Sequence, residues 1–261
     1  MRTVLICHAE DAFDREGLAS WLASFSDLAG LIVIRETAAR KRARVRRELR
    51  RVGPLRLPDV LAMRVYYRLR LAGADRQWMD SVLSALRERF GAPPQVPEIV
   101  VASANSATAV KFLRKLAPDL VIARSKQLLS RKVFEIPRAG CLVMHPGICP
   151  EYRNAHGCFW ALAERDLDRV GLTLLRIDAG VDTGPVFGYY SYAFDERNES
   201  HIRIQYRVVL ENLDALAQRF KDIAAGSAER IDTSGRREGV WGQPWLSRYI
   251  RWKRAAARGE R

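Results

Sequence analysis

The sequence has 261 residues, 48% hydrophobic and 9% aromatic, which is typical of one globular domain or of one domain with a small appendage. No apolar stretch approaches the roughly 20 residues of a transmembrane helix, so we expect no membrane span. The formal net charge of +14 attracts phosphates, nucleotides, nucleic acid or anionic surfaces, and does not choose among them.

The first elements predict a βαβ opening. Thr3 to Cys7 is a buried-strand run, Glu10 to Phe25 has helix-like apolar spacing, and Gly30 to Arg35 is a second apolar, β-branched run. A basic residue precedes the first run, but no cleavage pattern follows it. We therefore interpret this run as a core strand rather than as a secretion signal.

A basic, helical insertion is predicted at about residues 37–90. It begins with a helix candidate at 37–51, which has eight Lys or Arg residues between positions 40 and 51. Two interpretations stay open. The insertion is either a solvated helical surface or a contact surface for polyphosphate or nucleic acid.

Strands and helices alternate again after the insertion. The pattern predicts strands at 98–103, 119–123, 140–144, 170–177 and 185–194, and helices at 106–116, 159–165 and 199–224. Repeated βα alternation predicts an α/β fold with a doubly wound, mostly parallel sheet, and we assign residues 1–226 to it. Ligands of such sheets bind outside the carboxyl ends of the strands, here the loops after residues 7, 103, 123 and 144.

Residues 227–261 form a short basic extension rich in tryptophan and arginine. Trp241, Trp245 and Trp252 stand there among basic side chains. Three roles fit this composition: packing across the domain with buried aromatic rings, binding to a membrane surface, or clamping of nucleic acid.

The cysteines do not have the spacing of a disulfide framework. They are Cys7, Cys141, Cys149 and Cys158. A reducing compartment, the cytoplasm, is therefore the predicted location. Residues four apart on a strand lie roughly 13 Å apart, so Cys141 and His145 cannot share one zinc ion, and we predict no metal site.

Two segments concentrate the residues that could do chemistry. The first, H-P-G-I-C-P-E-Y-R-N-A-H-G, runs from His145 to Gly157 after a predicted strand, and the second, I-D-A-G-V-D-T-G-P, runs from Ile177 to Pro185. A lone histidine at a strand end is more often structural than catalytic, but prolines and glycines fix an irregular backbone here. A carboxylate such as Asp182 near an imidazole favours the charged ring and orients it. The two side chains are the predicted reaction centre.

With P-D-L-V-I-A at 118–123 and L-L-S-R-K-V-F-E-I-P-R-A-G-C at 128–141, these segments resemble the amino-terminal catalytic domain of the 10-formyltetrahydrofolate-dependent formyltransferases. That family includes glycinamide ribonucleotide, methionyl-tRNA and nucleotide-sugar formyltransferases. H-P-G followed by P-x-Y-R looks most like the sugar-modifying branch. The methionyl-tRNA branch resembles a longer chain with a separate carboxy-terminal domain, whereas 35 residues follow Gly226 here.

The resemblance implies transfer of a formyl group from 10-formyltetrahydrofolate to a primary amine through a tetrahedral intermediate. His145, as imidazolium, would donate to the oxyanion or relay a proton, and Asp182 matches the family's aspartate. The residues that match the folate-binding segments are Arg124, Ser125, Lys126, Gln127, Leu128, Asp178, Ala179, Gly180 and Val181.

One position departs from the family pattern. Two residues before the histidine the family has an asparagine, the amide donor to the formyl oxygen, and this chain has Val143. Loss of such a donor costs on the order of 100- to 1000-fold in turnover. Asn154 and His156 are candidate substitutes, or Asn154 caps the next helix with His156 in its first turn. The A-R-S-K-Q loop at 123–127 replaces an expected apolar wall and suggests an anionic part of the ligand.

Three functional hypotheses follow. The first is an N-formyltransferase that acts on an amine of a phosphorylated or nucleotide-linked small molecule, with sugar amines preferred. The second is a catalytically impaired protein of this fold that binds a polyanion or a protein partner. The third is a formyltetrahydrofolate hydrolase. Nucleic acid is a less favoured partner, and the sequence leaves a homodimer open.

Overall fold

The computed structural model describes residues 1–260. Its strands are β1 (Arg2–His8), β2 (Asp27–Ile34), β3 (Glu98–Val101), β4 (Leu120–Ala123), β5 (Gly140–His145), β6 (Arg153–Asn154), β7 (Leu172–Arg176), β8 (Val186–Tyr190) and β9 (Val240–Trp241). Seven of them form one sheet in the order β3-β2-β1-β4-β5-β7-β8, and β6 pairs with β9. The first five strands of the large sheet run parallel, while β7 runs antiparallel to both β5 and β8. The predicted mostly parallel sheet is confirmed.

The helices follow the alternation read from the sequence. They are α1 (Ala19–Phe25), α2 (Ala38–Val52), α3 (Leu57–Tyr66), α4 (Ala72–Phe90), α5 (Ala107–Leu116), α6 (Arg131–Phe134), α7 (Gly157–Ala163), α8 (His201–Leu210), α9 (Leu213–Ala225) and α10 (Leu246–Arg258). π-Helical turns at Phe13–Leu18 and Tyr67–Leu71 lead into α1 and α4. None of the helices in residues 1–260 has the length and apolar content that crossing a bilayer requires.

Both faces of the sheet are covered, which makes the fold doubly wound. Successive side chains of a strand point to opposite faces. Leu5 of β1 belongs to the core cluster that includes Trp21 of α1 and Phe220 of α9. Its neighbour Ile6 belongs to the second cluster, with Leu113 of α5. The apolar run from Val4 to Cys7 in β1 is thus explained by burial on two sides.

Helices α2, α3 and α4 occupy the predicted insertion and differ in burial. Helix α2 begins at the N-cap Thr37, whose hydroxyl accepts from the Arg40 N–H at 3.3 Å, and it has no buried residue. Helix α4 contributes Leu86 to the core. The basic part of the insertion therefore faces solvent, and its last helix is part of the hydrophobic core.

The amphipathic stretch predicted at 199–224 forms two helices, α8 and α9, rather than one. The break lies at Asn212, whose side-chain amide donates to the carbonyls of Val208 (2.8 Å) and Ser191 (3.0 Å). An asparagine side chain that bonds to the backbone competes with helical hydrogen bonds, which explains the break.

The carboxy-terminal extension packs on the domain. Trp252 of α10 is fully buried, and α10 packs against α3 and α7. Trp241 stacks on Trp160 of α7 at 4.8 Å between ring centroids, and Trp245 meets Trp160 edge-on at 5.0 Å. The interpretation with buried aromatic rings is confirmed, and burial removes Trp252 from any contact with membrane or bases. The division at residues 226 and 227 stays a prediction.

Candidate active site

The loops that follow β1, β4 and β5 are joined by hydrogen bonds at the carboxyl edge of the sheet. The Lys126 N–H donates to His8 Nε2 at 3.1 Å. The Arg124 guanidinium donates to the Met144 carbonyl at 2.9 Å and to Asp14 Oδ1 at 2.8 Å. The loop after β3 is joined to the same place, because the Asn105 side-chain amide donates to the Leu128 carbonyl at 2.8 Å. All four loops predicted to form the site therefore lie together.

His145, the last residue of β5, is buried and anchored at both ring nitrogens. Its Nε2 lies 2.8 Å from the Tyr152 carbonyl oxygen, and its Nδ1 lies 3.4 Å from Asp182 Oδ2. A carbonyl only accepts, so Nε2 carries a hydrogen and donates it. Nδ1 is then the nitrogen that can exchange a proton with the carboxylate. The structure brings the predicted pair together.

Two glycines allow the loop after His145 to turn back on itself. A Cβ atom at Gly157 would lie 2.6 Å from the Gly147 Cα and 2.7 Å from the Tyr152 carbonyl oxygen. The buried Thr173 of β7 fixes the same loop, because its hydroxyl donates to the Gly147 carbonyl at 2.6 Å. This close approach of backbone to backbone is what carries the Tyr152 carbonyl to the imidazole.

The turn that carries Asp182 is closed by its own side chains. Asp178 Oδ1 accepts from the Gly180 N–H at 2.9 Å and from the Thr183 hydroxyl at 2.8 Å. Asp182 itself has a left-handed backbone, with φ +52°. Its Oδ2 also accepts from the Asn154 N–H at 2.8 Å. One carboxylate oxygen thus joins the imidazole to the loop after β5.

A cleft of about 90 Å³ lies beside Asp182, between the two segments that match folate-binding segments. Of the predicted residues, those that line it are Ser125, Gln127, Leu128, Asp178, Ala179, Gly180 and Asp182. Its other lining side chains are all apolar, namely Ala123, Leu129, Val143, Leu175 and Ile177. This volume is below that of a pocket for a drug-sized ligand, so it suits the flat ring end of a folate rather than the whole molecule.

Arg124, Lys126 and Val181 are not among the residues that line the cleft. Arg124 is only 14% exposed and forms an ion pair with Asp14. Burial raises the pKa of the Asp14 carboxyl to about 6, and the neighbouring guanidinium opposes that rise. The charged wall expected from the A-R-S-K-Q loop is therefore absent from this cleft, because its arginine joins two loops within the fold.

Val143 places an apolar group where the family has an amide. It is half-buried, lines the cleft and packs with Leu175, Cys149 and Val186. Its partner in the sheet register is Leu175 of β7. This position offers no side-chain donor to a formyl oxygen.

Neither predicted substitute, Asn154 or His156, adopts the alternative capping arrangement. The Asn154 backbone has φ +78°, and its side-chain amide donates to the Trp241 carbonyl. His156, with φ +55°, is itself the N-cap residue of α7, without a side-chain cap bond. The prediction that Asn154 caps this helix is therefore wrong. Its amide is bound to the carboxy-terminal extension instead.

The His156 imidazole is neutral at pH 7. Burial lowers its pKa to about 4, and the charges of Lys126 and Arg64 add to the effect. A neutral imidazole has one N–H donor and one acceptor nitrogen. His156 can therefore offer a hydrogen bond to a ligand but no positive charge.

Sequence reasoning missed two residues that hold the loop after β5. Tyr152 contributes only its carbonyl to His145, so no side-chain pattern could reveal it. Trp241 stacks on the Tyr152 ring at 5.6 Å between centroids, and its indole N–H donates to the Glu151 carbonyl at 2.8 Å. The tryptophan-rich composition of the extension was the available signal. That composition indicated that the tryptophan rings are buried, but not that Trp241 packs on the loop after β5.

Metal ligands are not clustered. Residues 1–260 contain no group of three His, Cys, Asp or Glu side chains that could hold a metal ion. All four cysteines are buried, and burial raises the pKa of the Cys7 and Cys158 thiols to about 12. These thiols are poor nucleophiles at neutral pH.

Comparison with known proteins relates this chain to one family by sequence. The model of the formyl transferase family matches residues 88–219, just over half of the chain. The methionyl-tRNA formyltransferase of Geotalea daltonii is 28% identical over 159 residues, which cover 60% of this chain and 49% of that protein. The Thermotoga maritima enzyme of the same name is 31% identical over 151 residues, covering 55% and 47%. The chain spans about half the length of the curated relatives it matches.

Solved structures with a similar fold come from other branches. A sugar N-formyltransferase from Shewanella sp. has a TM-score of 0.54 at 13% identity, covering 93% of this chain and 77% of that chain. A phosphoribosylglycinamide formyltransferase from Anaplasma phagocytophilum has a TM-score of 0.55 at 14% identity, covering 94% and 99%. At these identities the likeness extends to the fold alone.

Proposed function

Because this chain belongs to the formyl transferase family, we propose that it transfers a formyl group from 10-formyltetrahydrofolate to a primary amine. The observation that carries the proposal is the 3.4 Å contact between His145 Nδ1 and Asp182 Oδ2 beside the cleft at the sheet edge. In this proposal the amine belongs to a phosphorylated or nucleotide-linked small molecule, and a sugar amine is preferred. A folate-dependent reaction and reduced cysteines suit the cytoplasm as the location.

The cleft residues support folate as the formyl donor. Leu128, Ile177 and Ala179 offer apolar surface to a flat ring, and Gln127 and Asp178 bring polar groups to the rim. Such a mixture of apolar walls and few polar groups is typical of small-molecule pockets. When bound there, the folate would supply the formyl group.

In this proposal Asp182 accepts the proton from the substrate, and His145 exchanges that proton with Asp182. Asp182 lines the cleft, whereas the imidazole is buried and tied through Nε2 to the backbone. An amine that attacks a formyl carbon must lose a proton, and the Asp182 carboxylate can take it. The proton can pass to His145 Nδ1 and return through the carboxylate to the folate nitrogen that leaves. This arrangement favours a relay role for His145 over direct donation to the oxyanion.

The site lacks the side-chain amide that would stabilise the oxyanion. Val143 cannot donate, and the Asn154 amide donates to the Trp241 carbonyl. The neutral His156 retains an N–H, so we propose it as the substitute donor. A missing amide predicts turnover lower by about 100- to 1000-fold than with the family's asparagine.

A second candidate is a protein of this fold that binds a polyanion without catalysis. The observations that favour it are Val143 and the basic helix α2, which has no buried residue and exposes Arg46 and Arg47. If Arg46→Ala and Arg47→Ala removed all ligand binding while His145→Ala changed nothing, this second function would replace the first.

Turnover of 10-formyltetrahydrofolate with a panel of nucleotide-linked amino sugars tests the proposal. We expect a formylated amine from the wild type and a loss of about 100-fold or more with His145→Ala. Release of formate without an amine would indicate the hydrolase instead. Absence of both products, from a folded protein that binds no folate, would refute the assignment.

A further inference from the structure

A second and larger cavity, of about 910 Å³, lies between the insertion and the loop after β5. One wall comes from α3, α4 and the π-helical turn between them, and includes Arg64, Arg68 and Arg76. The opposite wall includes His156 and His201. A volume in this range admits a ligand of the size of a nucleotide.

The wall formed by the insertion carries positive charge that the fold leaves available. Arg64, Arg68 and Arg76 are exposed, and among residues 1–260 none of them forms an ion pair with a carboxylate. The buried Asp75 in the same wall accepts instead from the Ser200 hydroxyl at 2.7 Å and lies 3.8 Å from Arg203. Free guanidinium groups at a concave surface are suited to phosphate oxygens.

The opposite wall presents neutral polar groups. His201 is 4% exposed, and burial lowers its pKa well below the ordinary value. Within the part of the chain that the structure describes, the buried Nδ1 atoms of His156 and His201 have no hydrogen-bond partner. These two atoms have almost no accessible surface, so a ligand in the cavity would meet the imidazole rings through their other atoms.

The wall formed by the insertion also carries apolar and aromatic surface. Tyr67, Trp78, Met63 and Met79 line the cavity. Aromatic rings offer stacking surface to a flat heterocycle, and methionine adapts to an irregular one. A ligand with phosphates alone would leave this surface uncovered, whereas a nucleotide would cover it.

One short segment of the chain, residues 154–156, connects the proposed reaction centre with the wall of this cavity. Asn154 donates its backbone N–H to Asp182, which lines the folate cleft, and His156, two residues later, lines the larger cavity. Glu10, just after β1, also lines the larger cavity. A ligand in this cavity could therefore present an amine toward Asp182, with the Glu10 carboxylate near its positive charge.

We infer that this cavity holds the acceptor as a nucleoside diphosphate that carries an amine, with the phosphates on Arg64, Arg68 and Arg76. The inference rests on the proposed function. It assigns recognition of the acceptor to the insertion.

Calorimetric titration of UDP and ADP into the full chain tests this inference. We expect binding that weakens about 10-fold or more in Arg68→Ala, because one charge-assisted hydrogen bond is lost. Arg70→Ala is the matched control, since Arg70 lies in the same π-helical turn, is exposed and does not line the cavity. Equal loss in both variants, or no nucleotide binding by the wild type, would overturn the inference.

Binding of 5-formyltetrahydrofolate to the same samples separates the two proposals. Folate binding without nucleotide binding overturns the acceptor site and leaves formyl transfer standing. Nucleotide binding that depends on Arg68, without folate binding, supports the cavity and refutes formyl transfer. Salt-sensitive binding of transfer RNA without nucleotide binding would likewise overturn the small-molecule acceptor.

Discussion

Replacement of Val143 by asparagine should increase turnover, because it restores a donor at the end of β5. The side chain is half-buried beside Asp182 in the cleft, so an amide there would face the reacting formyl group. A single oxyanion donor is worth about 100- to 1000-fold in kcat. Partial loss of apolar burial would lower the free energy of unfolding by about 1 kcal/mol. A domain with a total of roughly 5–15 kcal/mol tolerates this loss.

Val143→Ala is the matched control, since it removes the same packing and adds no donor. Formyl transfer by the wild type and both variants is measured at saturating folate, with 5-formyltetrahydrofolate binding as a check on the cleft. We expect Val143→Asn to exceed Val143→Ala by at least about 100-fold. Equal kcat values in the two variants, with folate binding retained, would refute the idea that this position faces the oxyanion.

Three further predictions concern the loop after β5. Gly157→Ala should lower kcat about 100-fold, because a Cβ atom 2.7 Å from the Tyr152 carbonyl oxygen displaces the group that accepts the His145 Nε2 hydrogen bond. A kcat within about twofold of wild type would contradict this. Trp241→Ala should lower the free energy of unfolding in urea by about 3 kcal/mol through lost stacking, and an unchanged urea midpoint would argue against it. The pKa of His156 is lowered to about 4, so the folded ring stays neutral while the unfolded ring protonates near pH 6.5. The free energy of unfolding that depends on the neutral ring is therefore present above pH 6.5 and falls by up to about 3 kcal/mol toward pH 4. His156→Gln should flatten the pH dependence of the free energy of unfolding between pH 6.5 and 4. Identical slopes for wild type and variant would contradict this.

The sheet and the contact between His145 and Asp182 were predictable because their signals are local. Strand runs such as Thr3 to Cys7 show their burial in composition. The order of the strands places the loop after β5 at the carboxyl edge. His145 and Asp182 stand in two short, irregular segments that flank paired strands, so a correct fold brings them close together.

The roles of other residues depend on contacts that the sequence order hides. Arg124 looks like a ligand residue, yet its partner Asp14 lies 110 positions earlier in the chain. Trp241 reaches the Asn154 side chain across 87 positions. The cavity beside α3 depends on how the insertion packs, and no periodicity within 37–90 encodes that packing.

Equilibrium binding of 5-formyltetrahydrofolate, a stable analogue of the donor, tests the central claim most directly. It is measured by calorimetry on the wild type, on Asp182→Ala and on Asp168→Ala, an exposed aspartate that does not line the cleft. We predict micromolar binding by the wild type and by Asp168→Ala, and loss of binding by Asp182→Ala. No binding by the folded wild type, or equal binding by all three proteins, would contradict a formyltransferase site built around Asp182 and His145.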